Sequence, residues 1–69
     1  MKKYYFTFGQ AHIHYHKGKR YDKDCVVLIE AEDSNEARDK MFKTFGPKWS
    51  MQYNNEPDMS HYPKGIVKL

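Results

Sequence analysis

One stretch of this chain leaves little choice of conformation. Cys25-Val26-Val27-Leu28-Ile29-Glu30-Ala31 is an apolar run rich in β-branched residues. Such residues suit the pleated surface of a sheet and restrict their own rotamers in a helix. The run is too short to span a membrane and lacks the 3.6-residue spacing of an amphipathic helix. It reads as the central strand of a sheet, and the rest of the chain must supply its neighbours.

One neighbour lies at the start. From Lys3 to Phe8 the residues alternate, with Tyr4, Phe6 and Phe8 on one face and Tyr5 and Thr7 on the other. That period of two predicts a half-buried strand, ended or bulged at Gly9-Gln10. A second alternating segment, His12-Ile13-His14-Tyr15-His16, runs into a turn at Lys17-Gly18-Lys19-Arg20. After the central run, Asp33 to Glu36 has the spacing of a helix N-cap. Ala37, Met41 and Phe45, with Phe42 beside them, form an apolar stripe, so a helix is expected over about 34–45. Gly46-Pro47 ends it. Trp49, Met51 and Tyr53 alternate with polar residues and predict a further strand. Asn54 to Pro63 reads as loop, and Gly65 to Leu69 as a candidate edge strand.

The expected fold is therefore α+β. It is a single domain over residues 1–69, with a three- to four-stranded sheet and one helix packed on one face. The order is β-β-α-β, with the C-terminal segment as a further edge strand. A crossover through the helix would join the central run to a parallel strand at Trp49–Tyr53. The helix stripe, Phe6, Phe8, Val27, Ile29 and Trp49 form the expected core.

A chain of 69 residues buries only roughly 60% of its unfolded surface and gains from a staple. Cys25 is the only cysteine, so an intrachain disulfide is excluded, and a lone thiol suits a reducing compartment. Its apolar material is concentrated in rings: six Tyr, four Phe and one Trp, a content at odds with disorder. No segment is long and apolar enough to cross a membrane, and Met1-Lys2-Lys3-Tyr4-Tyr5 lacks the apolar region of a signal peptide. A cytoplasmic location is expected. The net charge of +3 excludes mimicry of DNA by an acidic surface. It permits nucleic-acid contact without demanding it.

His12, His14 and His16 carry the sharpest chemical signal. On a strand they share a face, and two imidazoles so placed can converge on one zinc ion. All three cannot without bending the strand, since His12 and His16 lie roughly 13 Å apart at about 3.3 Å per residue. The facing strand would complete the set. A four-residue turn over Lys17–Arg20 places His16 opposite Tyr21, His14 opposite Lys23 and His12 opposite Cys25. A three-residue turn places His14 opposite Asp22 and His12 opposite Asp24. The predicted zinc ligands are thus two of His12, His14 and His16 with Cys25 or an aspartate, and His61 is a further candidate. The bland alternative makes the histidines a solvent-facing edge, with Ile13 and Tyr15 inward.

The expected partner-binding residues are Lys17, Lys19, Arg20 and Lys23, the densest cationic cluster, with Tyr15. The same cations and Tyr5 or Tyr15 would contact phosphates and bases in a small nucleic-acid-binding module. A self-associating accessory protein, a homo-oligomer without a ligand site, is the third alternative. No oxyanion hole or phosphate loop is visible, so the chain is expected not to be an enzyme.

Tyr4-Tyr5-Phe6-Thr7-Phe8-Gly9-Gln10-Ala11-His12, Glu36-Ala37-Arg38 and Phe45-Gly46-Pro47-Lys48-Trp49-Ser50-Met51-Gln52-Tyr53 resemble small proteins encoded by phages and prophages of low-GC bacteria. The likeness spans about half of the chain. It implies a compact α+β protein of the anti-CRISPR kind, an inhibitor that binds a host protein such as a CRISPR effector nuclease. Some such inhibitors carry a metal, and the His-x-His-x-His run is compatible with a metal-bearing member.

Overall fold

A computed structural model describes residues 1–10 and 12–69. In chain order it contains β1 (Lys2–Thr7), β2 (His14–His16), β3 (Lys19–Tyr21), β4 (Cys25–Ala31), α1 (Ser34–Phe45), β5 (Met51–Tyr53), a single 3-10 turn at Met59–His61 and β6 (Gly65–Lys68). The main sheet has the order β5-β1-β4-β6, and β2 and β3 form a separate ribbon. β1 is antiparallel to both β4 and β5, and β6 is parallel to β4. The fold is α+β, with one helix against a mixed sheet. β4 and β5 run in the same direction, as expected of a crossover, but β1 lies between them. The connection through α1 steps over a strand.

The apolar run is central because it needs cover on every side. Cys25, Val27, Ile29 and Ala31 pack with Tyr4, Phe6 and Phe8 against Ala37, Met41 and Phe45. Cross-strand pairing places Tyr4 opposite Ile29 and Phe6 opposite Val27. Trp49 lies against this core, edge-on to Phe6 at 5.1 Å. Phe42 is 46% exposed, so it does not enter the core as the stripe suggested. It covers Trp49 edge-on at 5.7 Å instead.

β1 is more than half-buried. Tyr5, Thr7 and their β4 neighbour Val26 are buried on the face away from the helix. The chain must travel from β5 at one edge to β6 at the other, and it crosses that second face. There His61 and Tyr62 stand beside Thr7, Met51 and Tyr53 around one hollow. Burial removes Tyr5 from the residues available to stack a base.

The helix has the predicted bounds. The Asp33 carboxylate accepts from the Glu36 backbone N–H at 2.8 Å, and the Gly46 N–H donates to the Phe42 carbonyl at 2.9 Å. Asp33→Ala is expected to cost about 1 kcal/mol. In a thermal melt that is a fall of roughly 4–8 °C. An unchanged midpoint would mean that the cap contributes nothing.

Two predicted strands are shorter in the structure. β5 starts at Met51 rather than Trp49, because the Trp49 N–H turns back to the Pro47 carbonyl at 3.0 Å. β2 starts at His14, leaving His12 and Ile13 outside the ribbon. Gly9 ends the first strand region with a positive φ of 68°. A Cβ there would sit 3.1 Å from the Ser50 Cβ, which would have to give by a few tenths of an ångström, so the positive φ and the close approach together favour glycine.

Candidate interaction hairpin

The β2–β3 ribbon turns on two residues, Lys17 and Gly18, with φ of 52° and 77°. Positive φ at both central positions is the mark of a tight hairpin turn, and Gly18 allows it. The register is His16 opposite Lys19, Tyr15 opposite Arg20 and His14 opposite Tyr21. Neither expected register forms, since both assumed a longer loop. His12 therefore has no strand partner opposite it, in Cys25 or in Asp24, and His14 faces neither Lys23 nor Asp22.

The register also decides which face is inside. Tyr21 is 4% exposed and packs edge-on against Phe45 at 5.0 Å. Its partner His14 must share its face, and His16, two residues on, follows. His14 lies 5.3 Å from the Phe45 ring and 5.5 Å from Phe8, and His16 lies 5.8 Å from Phe45. His14 Nε2 donates to the Lys48 carbonyl oxygen at 2.6 Å, tying the ribbon to the segment after the helix. The alternative that sets the histidines outward and Ile13 and Tyr15 inward is reversed. Ile13 is 53% exposed and Tyr15 74%.

The four expected zinc ligands are not assembled. His14 is committed to Lys48, and His12 stands outside the ribbon. Cys25 sits in the sheet, 1% exposed, with its thiol donating to the Asp22 carbonyl at 3.4 Å. Burial pushes that thiol up from its ordinary value, against the opposing effect of its hydrogen bond to the Asp22 carbonyl. A poorly ionised thiol is a weak nucleophile and a weak metal ligand. His61 pairs on the surface with Asp58 at 3.7 Å. Among the described residues, no three His, Cys, Asp or Glu side chains come together as a metal site.

The cations of the ribbon divide into two kinds. Arg20 Nε lies 3.0 Å from Asp22 Oδ2, and Lys23 Nζ lies 3.0 Å from Asp24 Oδ1. Lys17 and Lys19 are exposed and make no ion pair among the described residues. Asp22 is the hub that sequence reading missed. Its buried carboxylate takes Lys64 Nζ at 2.9 Å, the Asp24 N–H at 3.0 Å and Arg20. The Lys64 hydrogen bond, then the Asp24 amide, hold it below the ordinary carboxylate value against the effect of burial. Forty-two residues separate Asp22 from Lys64, so no local pattern signals the pair.

The result is a rigid two-faced ribbon. Its inner face is clipped to the core by rings and a histidine hydrogen bond. Its outer face presents Tyr15 beside Arg20; Lys17 stands at the tip, and the exposed Lys19, opposite His16, borders the tip on the other face. Comparison with protein-family models, curated proteins and solved structures finds no match to this chain. Among the described residues, no helix is long and apolar enough to cross a membrane.

Proposed function

We propose that this chain is a non-enzymatic inhibitor of the phage type that presents the outer face of the β2–β3 hairpin to a host defence protein. A CRISPR effector nuclease is the partner that the sequence resemblance implies. The supporting observation is Tyr15, 74% exposed on a ribbon whose opposite face is locked to the core. A large ring held out by a fixed scaffold binds without a further ordering cost. Tyrosine with a neighbouring arginine is the composition of an interface hot spot. Lys17 and Lys19 steer the hairpin toward an acidic patch on the partner.

A protein partner suits this surface better than nucleic acid. Arg20 and Lys23 are already neutralised by Asp22 and Asp24, whereas a phosphate-tracking surface keeps its cations free. Such an inhibitor works in the host cytoplasm, where a single buried thiol stays reduced.

The test is a pull-down with effector nucleases followed by a cleavage assay. Tyr15→Ala should weaken the complex by about 2 kcal/mol, roughly 30-fold, with the melting temperature unchanged. Lys17→Glu combined with Lys19→Glu should slow association and flatten its salt dependence. No complex and undiminished cleavage across several effectors would remove this reading. Retention of nucleic acid in a gel shift, lost steeply with salt, would replace it with a nucleic-acid-binding module.

A further inference from the structure

β1 is paired unequally on its two sides. β4 accompanies all six of its residues, from Lys2 to Thr7. β5 accompanies only Tyr5, Phe6 and Thr7, then leaves the sheet after Tyr53. The Thr7 carbonyl points to the β5 side, where it accepts from the Ser50 N–H at 2.8 Å. Backbone groups of alternate residues point the same way along a strand. The N–H and C=O of Lys3 therefore also point to the β5 side, beyond the place where β5 ends. Beside them is a hollow of about 560 Å³, with Lys2, Lys3 and Tyr4 on one side and Asn54, Asn55 and Glu56 on the other. The departing chain leaves a slot in the line that β5 would have continued.

We infer that this slot is a second binding site, which accepts a short extended acidic segment of a partner protein as an added strand. Strand addition at an exposed edge draws affinity from the main chain and selectivity from alternate side chains. The Lys3 N–H and C=O supply the hydrogen bonds. Charge sets the occupant. Lys2 and Lys3 are exposed and make no ion pair among the described residues; they outnumber the one carboxylate in the lining, Glu56, and Glu30, across from Lys3, is paired with Lys68 at 2.6 Å. Lys2 and Lys3 lie on opposite faces of β1, so carboxylates alternating along either face of the added strand would meet one of the two lysines. A second copy of this chain is the wrong occupant, because two-fold pairing of this edge sets lysines against lysines. The site lies on the main sheet and does not depend on the hairpin, so either reading can fail alone.

The probe is a capped, fluorescent hexapeptide that alternates glutamate and valine, with a control in which lysine replaces every glutamate. The full chain should bind the acidic peptide saturably and ignore the control. On binding, the Lys3 amide should become protected in hydrogen-exchange NMR. Lys3→Pro removes that donor at a position where the sheet does not use it. It should keep the melting temperature and weaken the peptide by roughly five- to tenfold. The exchange measurement on the unaltered chain decides the matter if that variant fails to fold. Absence of binding, equal binding by a folded Lys3→Pro, or binding without protection of the Lys3 amide would overturn the site. Self-association in sedimentation that protects the same amide would assign the edge to a second copy and overturn the acidic segment.

Discussion

Phe45→Ala is expected to lower stability by about 3–5 kcal/mol, the cost of deleting a buried ring. For a chain of this size, at about 0.05–0.15 kcal/mol per residue, that approaches the whole stability. The size of the effect follows from convergence. Phe45 is 6% exposed and ends the helix where the ribbon meets the sheet. Phe8 stacks on it edge-on at 5.1 Å and Tyr21 at 5.0 Å, with His14 and His16 within 5.8 Å. Removing the ring opens a cavity under every one of these contacts. The ribbon should loosen first, because its inner face rests on Phe45. The amides of His14 to Tyr21 should exchange earlier than those of β4. Phe42→Ala, at a ring 46% exposed, should cost less than half as much. Urea unfolding followed by circular dichroism measures both. A loss below about 1 kcal/mol for Phe45→Ala would show that the helix and ribbon are not held through this ring.

The elements with strong local chemistry were the legible ones. Asp33, Glu36 and Gly46 mark the helix ends within the span of their own hydrogen bonds, so their sequence signal survives folding. The run from Cys25 to Ala31 announces a central strand because it offers no polar face. Topology was less legible. β1 inserts between β4 and β5, and nothing in any segment encodes which partner it meets. The histidine run shows the limit most clearly. Alternation does place His14 and His16 on one face, but whether that face is inside depends on the register with Tyr21. The register depends in turn on a two-residue turn at Lys17-Gly18. A turn longer by one residue would have set Tyr15 inward. The site then follows from a choice of loop length that composition and period leave open.

Loss of the Asp22 charge should produce the second large effect and make stability depend on acid. The carboxylate is 8% exposed, while its partners Arg20 and Lys64 are 50% and 41% exposed. Water therefore screens the cations and moderates the pair, so the cost of Asp22→Ala is set at about 2–3 kcal/mol, that of hydrogen bonds to a charged group. Asp22 bridges β3, through Arg20, to Lys64 just before β6, so its removal should free both the ribbon base and the edge strand. The folded state holds this carboxyl below its ordinary value of 3.8. Its contribution is thus complete above the unfolded value and is lost as the pH falls through the lower folded one. The parent protein should begin to weaken below about pH 5 and continue to do so below 3.8. Asp22→Asn keeps the shape but has no proton to gain. It should start less stable at pH 7 and lose less on acidification, so the two curves of unfolding free energy converge toward low pH. Lys64→Ala should take away much of the same energy, and the double variant should cost less than the sum of the two. Parallel curves for parent and Asp22→Asn between pH 7 and pH 3 would show that the charge of Asp22 contributes no stability.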